Sequence, residues 1–181
     1  MAGIIKVNQY QDFNGNTIFT SDGSGNLTTQ NISEPCLKVI RASSNQTSVS
    51  SATYTKVQFN SEDTDVTTSG TWDSTNYRWT PGLSGKYFLS LNIELVAASD
   101  TAKQCQMLIY KNGSILTYAY LNMNAFDLRS SGSQALGASA IDYANSTDYY
   151  EGFVYMQVNS GTASVRASNE NTNFCGHRIG S

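Results

Sequence analysis

Apolar and polar residues alternate with period two through most of the chain, most clearly over residues 86–95, KYFLSLNIEL. Side chains in a strand point alternately to opposite faces, so Tyr87, Leu89, Leu91, Ile93 and Leu95 fall together and predict a core strand. The opposite face carries Lys86, Phe88, Ser90, Asn92 and Glu94. It is polar except for Phe88, a ring that a solvated face does not need. This strand closes the stretch that organises the chain, residues 57–95. The stretch opens on a short alternating strand, crosses a polar loop holding Trp72, re-enters on Tyr77 and Trp79, and turns at Pro81-Gly82-Leu83-Ser84-Gly85. Over residues 153–158, Val154, Met156 and Val158 make an apolar face while Phe153, Tyr155 and Gln157 point the other way. Leu37 and Val39, and Thr55, Val57 and Phe59, predict two further half-buried strands.

Between these segments the turns are marked by residue type. Residues 104–110 and 115–123 flank Lys111-Asn112-Gly113-Ser114, where Asn-Gly supplies the positive φ angles of a tight hairpin. Asn14-Gly15 and the run from Asp22 to Asn26 predict two turns among small β pieces over residues 4–29. That segment has too few apolar residues for a core of its own, and it is expected to be held by a neighbouring chain or surface. Residues 43–51 (SSNQTSVSS) read as a polar loop without pattern, residues 60–76 as a long loop held down by Trp72, and residues 124–132 as a further loop. Strands are expected over 134–143, 148–158, 162–169 and 173–181. No segment spaces apolar residues helically over three turns, so the reading is all-β, with about ten strands in a sandwich or barrel.

Composition narrows the functions. Charged residues make up 14% of the 181, against roughly 25% in ordinary soluble domains, so neutral hydrogen-bonding groups carry solubility. A net charge of -3 with 11 scattered basic residues leaves no footprint for a phosphate backbone, and nucleic acid is not an expected partner. A length of 181 residues accommodates one large β domain, or one of about 150 residues with an appendage. No apolar run suits a signal peptide or a membrane span, so the expectation is synthesis in a cytoplasm without membrane insertion. Cys36, Cys105 and Cys175 are odd in number and far apart, which disfavours a disulfide framework or a zinc site and reads as buried small hydrophobes.

A set of motifs in fixed order then becomes specific. Phe59-Asn60, the aromatic-x-aromatic-Thr-Pro-x-x-Ser-Gly-x-Tyr-Phe run over residues 77–88, the Tyr-Lys-Asn-Gly hairpin over 110–113, Asp-Tyr-x-x-x-Phe-Val over 148–154 and Phe-x-Gly over 174–176 occur in sequence. Together they resemble the complement globular-head and tumour necrosis factor-like jelly-roll domains over residues 36–181. The resemblance implies an antiparallel jelly-roll sandwich that assembles as a homotrimer. Residues 1–35, a short β-rich N-terminal arm, resemble the openings of short fibre and capsid-decoration proteins of tailed bacteriophages. That implies a virion component on the outer surface of the particle, with capsid or tail proteins as partners and a role in host attachment. In this reading the arm attaches through Ile4, Ile5, Val7, Tyr10, Phe13, Ile18 and Phe19. The outward Phe88, Ser90, Phe153 and Tyr155 are expected at the trimer interface, because subunit contacts are enriched in aromatic residues.

Catalytic chemistry finds less support. His177, the only histidine, shares a strand face with Cys175, but a working dyad needs a third group to orient it and a cleft to face. Glu62, Asp63, Asp65, Glu94, Glu151 and Glu170 are the candidates for a hydrolytic carboxylate pair, and most sit in turns or on polar faces. Glu62, Asp63 and Asp65 are also the weak candidates for Ca²⁺, without the repeated spacing of a calcium loop. An ordinary acidic turn is favoured, and no cofactor is expected. Tyr118, Tyr120, Tyr143, Tyr149 and Tyr150, with neighbouring Asn and Ser, suit an adaptable recognition surface for a host glycan or receptor. The leading expectation is a non-enzymatic virion structural protein. A receptor- or glycan-binding adhesin is the alternative, and a polysaccharide-degrading enzyme the remote one.

Overall fold

The computed structural model describes residues 9–25, 27–29, 34–63, 69–97, 102–123 and 133–181. Residues 1–33 and residues 34–181 form separate units. In the first, β1 (Gln9–Gln11), β2 (Thr17–Ser21) and β3 (Leu27–Thr29) form an antiparallel meander. Its first turn works as Asn14-Gly15 requires: Gly15 has φ of 82°, and the Asp12 carboxylate accepts hydrogen bonds from the backbone N–H of Asn14 and of Asn16. Tyr10 and Phe19 stack across the β1–β2 pair at 5.3 Å.

The second unit is a two-sheet sandwich. Its strands are β4 (Cys36–Arg41), β5 (Gln46–Val49), β6 (Thr55–Lys56), β7 (Ser61–Glu62), β8 (Thr71–Asp73), β9 (Arg78–Thr80), β10 (Gly85–Val96), β11 (Ala102–Lys111), β12 (Ser114–Asn122), β13 (Ser133–Ala144), β14 (Tyr150–Val158), β15 (Ala163–Val165) and β16 (Ser168–Gly180). In the first sheet β10 is central. It pairs with β13 along its whole length on one side; on the other it pairs with β16 and then, near its end, with β15. β4 and β7 extend the sheet beyond β16, and β5 extends it beyond β15. The second sheet runs β12-β11-β14-β9-β8, with β6 also on β14. Every pairing is antiparallel, and every element among the described residues is a strand.

The predicted inward faces fill the space between the sheets. Tyr87, Leu89, Leu91, Ile93 and Leu95 from β10 meet Cys105, Met107 and Ile109 from β11 and Val154, Met156 and Val158 from β14 in one buried cluster. Trp79 is fully buried at one end, edge-on to Tyr87 at 5.7 Å and tilted against Tyr150 at 6.3 Å. A Cβ at Gly176 would overlap the Trp79 ring, so only glycine fits under it. The Tyr87 hydroxyl donates to the carbonyl of Leu83 at 2.8 Å, which ties the Pro81–Gly85 turn to the strand that follows. At the β11–β12 turn Asn112 and Gly113 both take positive φ, 51° and 78°, the geometry of a two-residue hairpin loop.

Two expectations are corrected. Residues 43–51 are not a featureless loop: they contain β5, which pairs with β15 and buries Val49 and Gln46. Gln46 is tolerated inside because its amide is used twice, donating to the Lys56 carbonyl and accepting from the Gln58 N–H. The loop of residues 60–76 also contains β7 and β8, where Trp72 pairs with Trp79 in register and packs edge-on to Phe59. With short strands of two to four residues such as these counted, the described sandwich still roughly fits the expected ten strands. The loop expected over residues 124–132 lies outside the described residues.

Candidate functional site

Each sheet has an outer face, and each carries more aromatic surface than solvation calls for. On the first sheet, register places Ile141, Phe88, His177 and Cys36 side by side across β13, β10, β16 and β4. Ile141 is 68% exposed. The Phe88 and His177 rings lie 5.4 Å apart. Half-exposed Tyr143 and Ile179 stand on the same side, two positions along from Ile141 and His177. The next row holds Ser139, Ser90, Cys175 and Lys38, the last paired with Asp63. The face therefore has an apolar row, bordered by exposed Lys86 in register with Tyr143, and a neighbouring row with two serine hydroxyls.

On the second sheet, Phe153 and Tyr155 point away from the core. Phe153 stacks on Tyr110 at 4.1 Å, and the Lys56 ammonium lies over its ring at 5.6 Å. Tyr155 packs on Tyr54 at 5.2 Å. Leu108 also faces outward yet is fully buried, lying in register between Tyr118 and Phe153. A groove of about 430 Å³ runs over this face, lined by Tyr54, Gln106, Ile115, Tyr118 and Tyr120.

The four positions expected at one trimer interface are thus divided. Phe88 and Ser90 lie on the outer face of the first sheet, and Phe153 and Tyr155 on that of the second. A period-two pattern gives the side of a strand but not the sheet that the strand joins. Ile141, Tyr143 and Ile179, which complete the Phe88 patch, escaped sequence reading because only register across β13 and β16 brings them there. Of the five tyrosines picked as a recognition surface, Tyr118 and Tyr120 share the groove and Tyr143 lies on the other sheet. Tyr149 lies under the Arg78 guanidinium at 4.8 Å, and Tyr150 is core, its hydroxyl donating to Asp142 at 2.7 Å. Burial and the Asp142 carboxylate together push the Tyr150 phenol far above its ordinary pKa.

The other candidates are placed as follows. Asp63 is paired with Lys38 at 2.7 Å, Glu62 is exposed on β7, and Asp65 lies outside the described residues. No group of three or more metal-binding side chains occurs among the described residues. Glu94 is buried and paired with Arg166 at 2.7 Å, Glu151 is paired with Lys56, and Glu170 is exposed. Cys175 and His177 do share a face, but burial raises the Cys175 thiol above its ordinary pKa, the opposite of what a nucleophile needs. In the arm, Phe13 is fully exposed in the β1–β2 turn, Ile18 lies on the face opposite Tyr10 and Phe19, and Ile4, Ile5 and Val7 lie outside the described residues.

No protein-family profile matches the chain, and no curated protein matches it in sequence. Solved structures do. Murine APRIL, at pH 5.0, superimposes with a TM-score of 0.57 at 10% identity, covering 81% of this chain and 99% of that one. Eiger TNF from S. frugiperda gives 0.55 at 8% identity, covering 82% and 94%. The fold is a jelly roll of the tumour necrosis factor type.

Proposed function

We propose that the chain is a non-enzymatic virion surface protein of a tailed bacteriophage. In this reading it is a homotrimeric capsid-decoration or short-fibre knob, with residues 34–181 as the head and residues 1–33 as the attachment to capsid or tail. The observation that carries the trimer is the row Ile141, Phe88 and His177, flanked by Tyr143 and Ile179 on an otherwise polar sheet face. Contiguous exposed apolar surface of this kind marks a contact site. Attachment through the arm is supported by its separate three-stranded unit and by the exposed Tyr10, Phe13 and Ile18, groups suited to strand addition and pocket insertion. The ion-paired or exposed state of the described acids supports a non-catalytic role. A host-binding role in addition is favoured by the tyrosine groove on the second sheet.

Mass measurement of the purified full chain by light scattering tests the assembly. The wild type is expected as a trimer, and Phe88→Asp and Ile141→Asp as monomers with native β circular dichroism. A monomeric wild type, or trimers that survive both substitutions, would overturn the interface.

A further inference from the structure

We infer that the outer face of the second sheet is a binding site for a neutral saccharide. This rests on the host-binding reading of the tyrosine groove and names its ligand class; it does not depend on the trimer or on the arm. Register arranges the face in rows across β12, β11 and β14: Tyr118, Leu108 and Phe153; then Tyr120, Gln106 and Tyr155; then Asn122, Gln104 and Gln157. Tyr118, Tyr120 and Tyr54 remain 58%, 48% and 46% exposed. They wall a groove of about 430 Å³, within the roughly 300–1,000 Å³ of small-ligand sites.

Chemistry selects the ligand. The five lining residues, Tyr54, Gln106, Ile115, Tyr118 and Tyr120, are all uncharged. Lys56 and Glu151, beside Phe153, are engaged with each other in an ion pair. Phosphates, sulfated sugars and acidic peptides would find no countercharge in such a groove, whereas a polyol needs none. The rings offer flat apolar faces to sugar C–H groups, and their hydroxyls and the glutamine amides offer donors and acceptors to sugar hydroxyls.

The polar groups are also held in place. The Tyr120 hydroxyl donates to Gln104 Oε1 at 2.9 Å, and Gln104 Nε2 donates to Gln157 Oε1 at 3.0 Å and to the Tyr155 hydroxyl at 3.3 Å. Tyr155 in turn is braced by Tyr54, and buried Leu108 lies beside Tyr118 in register. Side chains fixed before binding lose less entropy when the ligand arrives. Tyrosine is suited to this, giving a large amphipathic contact for two rotatable angles.

Titration calorimetry of the full chain tests the site. The probes are lactose, maltotriose, cellotriose, mannotriose and triacetylchitotriose, with sialyllactose and inorganic phosphate as acidic probes. At least one neutral sugar is expected to bind saturably, and the acidic probes are not. Tyr118→Ala and Tyr120→Ala should each weaken binding roughly tenfold or more, while Leu83→Ala, at an exposed position of the Pro81–Gly85 turn, leaves it unchanged. All three sites are exposed, and circular dichroism checks the fold. The inference is overturned if none of the neutral sugars binds, if only an acidic probe binds, or if Tyr118→Ala and Tyr120→Ala leave affinity intact. It is also overturned if these two substitutions dissociate the assembly, which would make the face a subunit contact.

Discussion

Trp79 shows how tightly single residues are set in this sandwich. Its ring is confined by Tyr87, Tyr150 and the bare backbone of Gly176. Gly176→Ala places a methyl group where the ring already sits, and overpacking of this kind costs about 1–3 kcal/mol. The expected outcome is a lower midpoint in urea denaturation with an unchanged slope. Glu94 is a second such point. Burial raises its carboxyl pKa, but hydrogen bonds from Ser133, Arg166 and Asn171 and the Arg166 charge outweigh that, and the net shift is downward. Asp148 is also lowered, chiefly by the Asn112 side chain and the Asn145 N–H. Because both fold with depressed values, their stabilisation is complete above the ordinary carboxylate range, about 4. It is lost as pH falls through the folded-state values. Thermal midpoints followed below pH 5 should therefore drop. Glu94→Gln should shallow that drop and cost on the order of 1 kcal/mol at neutral pH, the exposure of Arg166 limiting the loss.

At the scale of elements, β10 and the β11–β12 hairpin are written locally. Five alternating apolar residues and an Asn-Gly turn specify them without reference to the rest of the chain. β5 is not written locally. Ser, Asn, Gln and Thr surround its one apolar residue, and it becomes a strand because β15, more than a hundred positions later, supplies its partner. Val49 nonetheless fills core space at 0% exposure. Val49→Ala is expected to destabilise the protein by about 2 kcal/mol, two methyl groups plus the space they leave, measured by chemical denaturation. Gln46, which bridges β5 to residues 56–58, is the polar counterpart that no apolar pattern could have flagged.

At the scale of the whole molecule, a jelly roll is recovered at 8–10% identity to murine APRIL and Eiger TNF. Many side-chain sets satisfy the same inward pattern, so shape outlasts sequence. The proposed division of labour gives a further expectation. Deleting residues 1–33 should leave a folded trimer, as read by circular dichroism and mass, that no longer co-purifies with particles; retained attachment would place the anchor in the head. The alternation of residues along the chain was enough to determine strands such as β10 and β14, their inward faces and their odd outward rings, because those depend on neighbours one and two positions away. Only the tertiary structure decided that Phe88 joins Ile141 and His177 on one sheet while Phe153 and Tyr155 join the tyrosine groove on the other. Sheet membership and register are set by partners distant in sequence, and alternation along a single strand carries no information about them.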